Sequence, residues 1–134
     1  MSVFGMLRIA GSGLTAQRLR MDVAASNLAN AETTRTAAGG PYRAESVVFS
    51  ALTLNGGEAP GVAATTIATP GRAFVRAYDP GHPDADAQGF VTYPNVEVAS
   101  EMADLMGAAR SFQINATVVQ AAKQSALDAL DLGR

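Results

Sequence analysis

The sequence has no cysteine, no tryptophan and a single histidine, His82. Without a thiol there is no disulfide, no thiolate metal site and no cysteine nucleophile, and the redox state of the compartment is immaterial. One histidine leaves acid–base or triad chemistry to scattered carboxylates and to Ser12, Ser26, Ser46 and Ser111, none in a nucleophile-elbow motif. Gly11 and Gly13 lack the flanking strand and third glycine of a phosphate loop. The inventory points away from an enzyme, a small-molecule substrate and a cofactor.

Long apolar runs are also missing, so no direct membrane insertion is expected. The first residues lack the basic region and extended apolar stretch of a Sec signal peptide. Charge of one sign is not in excess either. The net charge is -2, and the ten basic residues are spread along the chain rather than gathered into the stripe that displaces counterions from nucleic acid. The acidic C-terminal third likewise lacks the basic polar face of a helix that lies on membranes.

What is present is alanine, which supplies much of an apolar fraction of 48%. Alanine buries little area, so this fraction overstates the core that the chain can build alone. Three zones follow in order. Residues 1–34 read as an N-terminal helix with apolar side chains repeating every seven residues at Leu7, Leu14, Met21 and Leu28. A companion series runs through Ala10, Ala24 and Ala31, interrupted by Gln17. Residues 35–94 hold all six prolines and most of the glycines, with turn signals at Gly39-Gly40-Pro41, Asn55-Gly56-Gly57, Pro70-Gly71 and Pro80-Gly81. Short β-prone runs lie between them at Ser46 to Phe49, Val62 to Thr69, Ala73 to Tyr78 and Phe90 to Tyr93. Residues 95–134 read as a second long helix, N-capped by Asn95. Its seam is Val98, Met102, Leu105, Ala109, Phe112, Ala116, Val119, Ala126 and Leu130, with Lys123 the charged interruption. Asp128 and Asp131 at its far end oppose the helix dipole.

The expected fold is α+β: two long terminal helices pairing antiparallel as a coiled-coil-like core, with a small β-rich, irregular middle element. Two narrow seams satisfy each other but leave broad flanks, which suits packing against neighbouring subunits. A different reading is a calcium-binding helical interaction module, because Asp84, Asp86, Gln88 and Gly89 copy the opening of an EF-hand loop beside His82 and Asp79. Against it, Pro94 lies inside that loop and Asn95 stands where the bidentate glutamate belongs.

Ser12-Gly13-Leu14-Thr15-Ala16-Gln17-Arg18-Leu19-Arg20-Met21, followed by Ser26-Asn27-Leu28-Ala29-Asn30-Ala31-Glu32-Thr33, resembles the N-terminal signature of the flagellar rod and hook axial proteins. Gly39-Gly40-Pro41-Tyr42-Arg43, Tyr78-Asp79-Pro80-Gly81-His82-Pro83-Asp84 and Pro94-Asn95-Val96 resemble a proximal-rod branch of that family, as do Glu101-Met102, Ala109-Arg110-Ser111-Phe112 and Asn115. Phe112 stands where the family usually has tyrosine, and Gln113-Ile114 replaces a more usual acidic-plus-small pair. The resemblance implies a structural subunit of the flagellar basal body, in a rod that crosses the periplasm and transmits torque. Its implied partners are other copies of itself, the rod proteins FlgB, FlgF and FlgG, FliE with the membrane-ring components, and the flagellar type III export apparatus, which needs no cleaved signal peptide. The expected assembly interface is Leu7, Leu14, Met21, Leu28, Met102, Leu105, Ala109, Phe112, Asn115, Val119 and Leu130. Asn27 and Asn30 of the signature join it as inter-subunit hydrogen-bonding groups.

Overall fold

A computed structural model describes residues 3–53, 60–69 and 73–133. In chain order the elements are α1 (Val3–Ala29), β1 (Glu45–Thr53), β2 (Pro60–Ala68), β3 (Val75–Tyr78), β4 (Phe90–Tyr93) and α2 (Val98–Leu132). The fold is α+β, as the periodicities predict. The turn signals at Asn55-Gly56-Gly57 and Pro70-Gly71 lie outside the described residues.

α1 begins nearer the N-terminus than Leu7, and ends in a turn in which Asn30 N–H still bonds Ser26 O. α2 begins later than expected. Its N-cap position is Glu97, extended at φ -89°, ψ 97°, with no capping side-chain hydrogen bond. Asn95 lies two residues further back, too far to reach the first-turn amides, so the predicted Asn95 cap does not form.

The helices run antiparallel. Asn27 bonds Glu101, Arg20 pairs with Asp104, and a Cβ built at Gly13 would lie 2.9 Å from Asn115 Nδ2. The buried apolar residues of the two helices are mostly small: Ala10, Ala16 and Ala24 of α1, Ala108 and Ala122 of α2. Small side chains let helix axes come close, but each removes little apolar area from water. Beyond them the buried residues include Val23, Val91 and Asn27. The core is correspondingly thin.

The middle zone forms two separate antiparallel hairpins rather than one sheet. In the first, Glu45 pairs with Ala68 and Thr53 with Pro60. A two-stranded ribbon is barely stable alone, and this one lies along α1. Glu45 meets Asn27, Phe49 takes the Arg20 guanidinium 6.0 Å from its ring centre, and Val62 N–H donates to Ser12 Oγ at 3.1 Å. In the second hairpin Val75 pairs with Tyr93 and Tyr78 with Phe90, whose rings meet edge to face at 5.4 Å. Its approach turn uses Gly89 at φ +82°, where a Cβ would sit 2.9 Å from Tyr78 Cε2, so only glycine fits.

Candidate assembly surface

The best-connected side chain is Asn27, fully buried in the last turns of α1. Its Nδ2 donates to Glu45 O at 2.8 Å and to Glu101 Oε2 at 3.1 Å. Its Oδ1 accepts from Glu45 N–H and from Tyr42 Oη, both at 3.0 Å. Two donors and two acceptor sites are all that a carboxamide has. Asn27 thus ties α1 to the loop at Tyr42, to the first residue of β1 and to the first turn of α2. The expectation that it hydrogen-bonds a neighbouring subunit is corrected: no capacity remains, and no solvent reaches it. Asn30 is half-buried and bonded locally, donating to Ser26 O and accepting from Thr33 Oγ1.

A second correction concerns the α2 seam. Ala108 and Ala122 are buried, whereas Ala109 and Lys123, one residue on, are exposed, as are Val98, Met102 and Leu130. The inward face runs instead through Glu101, Asp104, Leu105, Ala108, Phe112, Asn115, Val119 and Ala122. Of the expected seam, Leu105, Phe112, Ala116, Val119 and Ala126 are half-buried, so the inward line is offset toward Ala108 and Ala122 rather than replaced. On α1, Ala10 and Ala24 are buried, while Leu7, Leu14, Met21 and Leu28 flank them half-buried.

Large apolar side chains consequently remain on the outside. Phe4 is 80% exposed and Leu132 89%, with Leu127 and Leu130 nearby on α2; Val75, Val98, Met102 and Met106 are exposed toward the other end of the helix pair. At that end a groove of about 750 Å³ opens between the end of α1, the second hairpin and the start of α2. Leu28, Val75, Tyr93, Pro94, Val96 and Val98 supply its apolar lining, and Glu32 and His82 are its polar residues.

The acids Asp84 and Asp86 of the calcium-loop reading are engaged by nearby donors. Asp84 accepts from Thr34 Oγ1 at 2.8 Å and pairs with Arg35; the Thr34 bond, then the charges of Arg35 and His82, hold its carboxyl below the ordinary 3.8. Asp86 Oδ1 accepts the Phe90 and Gln88 amides, both at 2.9 Å, and Oδ2 pairs with Arg76; these bonds, Phe90 first, lower its carboxyl too. Oxygens committed to these donors do not form an open cage for calcium, and that alternative finds no support. Among the described residues no group of three or more His, Asp or Glu side chains is arranged to hold a metal.

Sequence reasoning missed the partners of Asn27, since Tyr42, Glu45 and Glu101 lie 15, 18 and 74 residues away. It also missed the Ser12–Val62 link. The unusual placement of an amide close to an apolar seam was the one available signal.

Residues 7–35 match the family model for flagella basal body rod proteins, and residues 87–132 match that for the C-terminal region of flagellar basal body rod FlgEFG proteins. Over full length the chain is 42% identical to the flagellar basal-body rod protein FlgC of Escherichia coli O6:H1 and 42% to that of Salmonella typhimurium, covering 100% of each chain. The protein of the same name from Bacillus subtilis is 37% identical, again with 100% of both chains covered.

Proposed function

The chain belongs to the FlgC family of flagellar basal-body rod proteins, and on that premise we propose how it serves as a structural subunit of the rod. It is a non-enzymatic building block whose paired helices align near the rod axis and carry torque from the membrane ring toward the distal rod and hook. A shaft under torsion must resist shear between subunits, and long helices offer continuous surfaces for interdigitation at close-packed density. Heterologous contacts that do not close generate a helical tube rather than a ring.

One observation carries this reading: the helix pair spends its small residues on its own seam and leaves Met102, Met106 and Leu130 exposed. Leu7, Leu14, Met21 and Leu28 support those contacts from the half-buried flanks of α1, while Leu105, Phe112, Asn115 and Val119 on the inward face of α2 keep the pair together. The neighbours are other copies of the chain and the rod proteins FlgB, FlgF and FlgG, with FliE and the ring at the membrane side. The subunit reaches a rod crossing the periplasm through the flagellar type III export apparatus. No helix among the described residues is long and apolar enough to cross a membrane.

Deleting the gene in its own host is the test. The expected result is a non-motile cell whose purified basal bodies lack a completed rod, restored by the wild-type gene. Normal swarming of the deletion strain, or basal bodies that complete the rod without the chain, overturns the reading.

A further inference from the structure

Cysteine and tryptophan are both absent, so the methionine thioethers are the side chains of this chain most open to oxidation. Among the described residues the methionines fall into two classes. Met6 and Met21 on α1 are half-buried, whereas Met102 and Met106 on α2 are 52% and 71% exposed. Four positions apart on one helix, the exposed two stand one turn from each other on a single face. Their neighbours on that face do not screen the sulfurs. Ala99, Ala103 and Ala109 reach no further than a methyl group, and Gly107 has no side chain. Val98, one turn before Met102 and itself exposed, joins this stripe to the lining of the groove at the end of α1. The buried Ala108 and Ala122 of α2 face the opposite way, toward α1.

We propose that Met102 and Met106 form a reversible oxidation site, at which a peroxide converts the thioethers to sulfoxides and methionine sulfoxide reductases restore them. In the forward step the sulfur lone pair attacks one peroxide oxygen. An S–O bond forms, the O–O bond breaks, and the departing hydroxide takes up the remaining proton to leave as water. The thioether gives up an electron pair, and the peroxide is reduced. Repair removes the oxygen as water, with a dithiol supplying the electrons and ending as a disulfide. Because the pair lies mostly in solvent, the fold is untouched and only the outer surface changes. An apolar, adaptable side chain becomes a polar one whose oxygen holds water. The consequence for function rests on the rod reading, which gives this stripe to neighbouring subunits. A subunit oxidised while free must then strip water from two sulfoxides in order to dock, and it docks poorly until repaired.

Limited hydrogen peroxide on the purified chain, followed by tryptic peptide mass measurement, tests the site. Cleavage after Arg20, Arg35, Arg76 and Arg110 puts Met102 and Met106 on a peptide separate from that of Met21. The exposed pair is expected to oxidise at least about twofold faster than Met21 in the folded chain, and at the same rate in urea. The melting temperature is expected to hold when only the pair is oxidised, and the reductases with dithiothreitol to remove the added oxygen. Equal rates in the folded chain, a lowered melting temperature or sulfoxides that the reductases leave in place each overturn the site. In the host, Met102→Gln with Met106→Gln imitates the sulfoxides, and Met102→Leu with Met106→Leu keeps the apolar surface without an oxidisable sulfur. Leucine and glutamine are both good helix formers at exposed positions, so both double variants are expected to fold. The leucine chain is expected to restore motility to a deletion strain, and the glutamine chain to give swim rings that spread at least about twofold more slowly. Equal spreading of the two overturns the switch. A deletion strain that swims normally removes the rod reading and leaves the peptide measurement to decide the site. A non-motile deletion strain rescued equally by both chains does the reverse.

Discussion

Replacing Asn27 by alanine removes four hydrogen bonds at once from a fully buried position. Three join neutral groups and are worth about 1 kcal/mol each; the bond to the Glu101 carboxylate is worth about 1.5–3 kcal/mol. The partners are not equally stranded. Glu45 is exposed and Tyr42 and Glu101 are half-buried, so water recovers part of the loss. The expected net cost is about 3 kcal/mol, a large share of the roughly 5–15 kcal/mol that holds a small domain. Urea unfolding followed by helix ellipticity reads it directly. With a slope of about 1–3 kcal/mol/M, the midpoint falls by at least about 1 M. Tyr42→Phe removes the bonds of its hydroxyl to Asn27 Oδ1 and Ser26 Oγ and costs about 1–2 kcal/mol in the wild-type chain, a cost that falls by about 1 kcal/mol once Asn27 is gone. A midpoint shift under about 0.3 M for Asn27→Ala, or full additivity of the two changes, refutes the view that this amide organises the junction.

Gln17→Met is expected to stabilise the isolated subunit by about 1 kcal/mol, because Gln17 Oε1 is buried without a partner; a lower melting temperature would count against this. Gly11→Ala raises stability by about 0.5–1 kcal/mol in thermal melts, since nothing lies within 4 Å of the new methyl, whereas Gly13→Ala gains less because it must displace Asn115. Gly89→Ala loses about 1–2 kcal/mol from its positive φ and its contact with Tyr78, seen as faster amide exchange in the second hairpin; unchanged exchange contradicts it. The lowered carboxyls of Asp84 and Asp86 stabilise the fold above their unfolded value of 3.8 and lose that contribution as pH falls through their folded values. A carbon-detected NMR titration should find both midpoints below 3.8, and Asp84→Asn should flatten the acid limb of the stability curve.

Most of the architecture was legible because long periodic helices are the strongest signal a sequence carries. Both terminal helices form, α1 ending before and α2 starting after the expected bounds, and the strand at Phe90 to Tyr93 stands where the pattern put it. The offset of the inward line on α2 was not legible. A seven-residue repeat of apolar residues selects Leu105, Phe112 and Val119, which are half-buried, together with Met102, Ala109 and Leu130, which are exposed; the exact inward line depends on the opposing Ala10, Gly13, Ala16 and Ala24. Periodicity of one helix cannot report the size of residues on another. The role of Asn27 was hidden for a similar reason: its partners come from three other segments, and an amide beside a seam reads equally well as an external contact until those partners are placed.

The same feature that defeated the seam reading explains why this subunit suits assembly. A seam of alanine holds two helices close while removing little apolar surface from water, so hydrophobic burial stabilises the separate chain only modestly. Specificity has to come from elsewhere. Here it comes from directional groups that tolerate one arrangement: the Asn27 carboxamide, the Arg20–Asp104 pair, and the Gly13–Asn115 contact. Other bulky side chains, Met102, Met106, Ile114, Leu127 and Leu130 among them, stand on faces that the chain does not cover itself. Covering them stabilises the folded form in proportion to partner concentration. The subunit therefore combines a polar code for its own geometry with an apolar reserve for its neighbours. Exchanging the two, by putting leucine at Ala108 and alanine at Met106, should overpack the helix pair and strip the outer surface in one step, lowering both the melting temperature of the free chain and its tendency to associate.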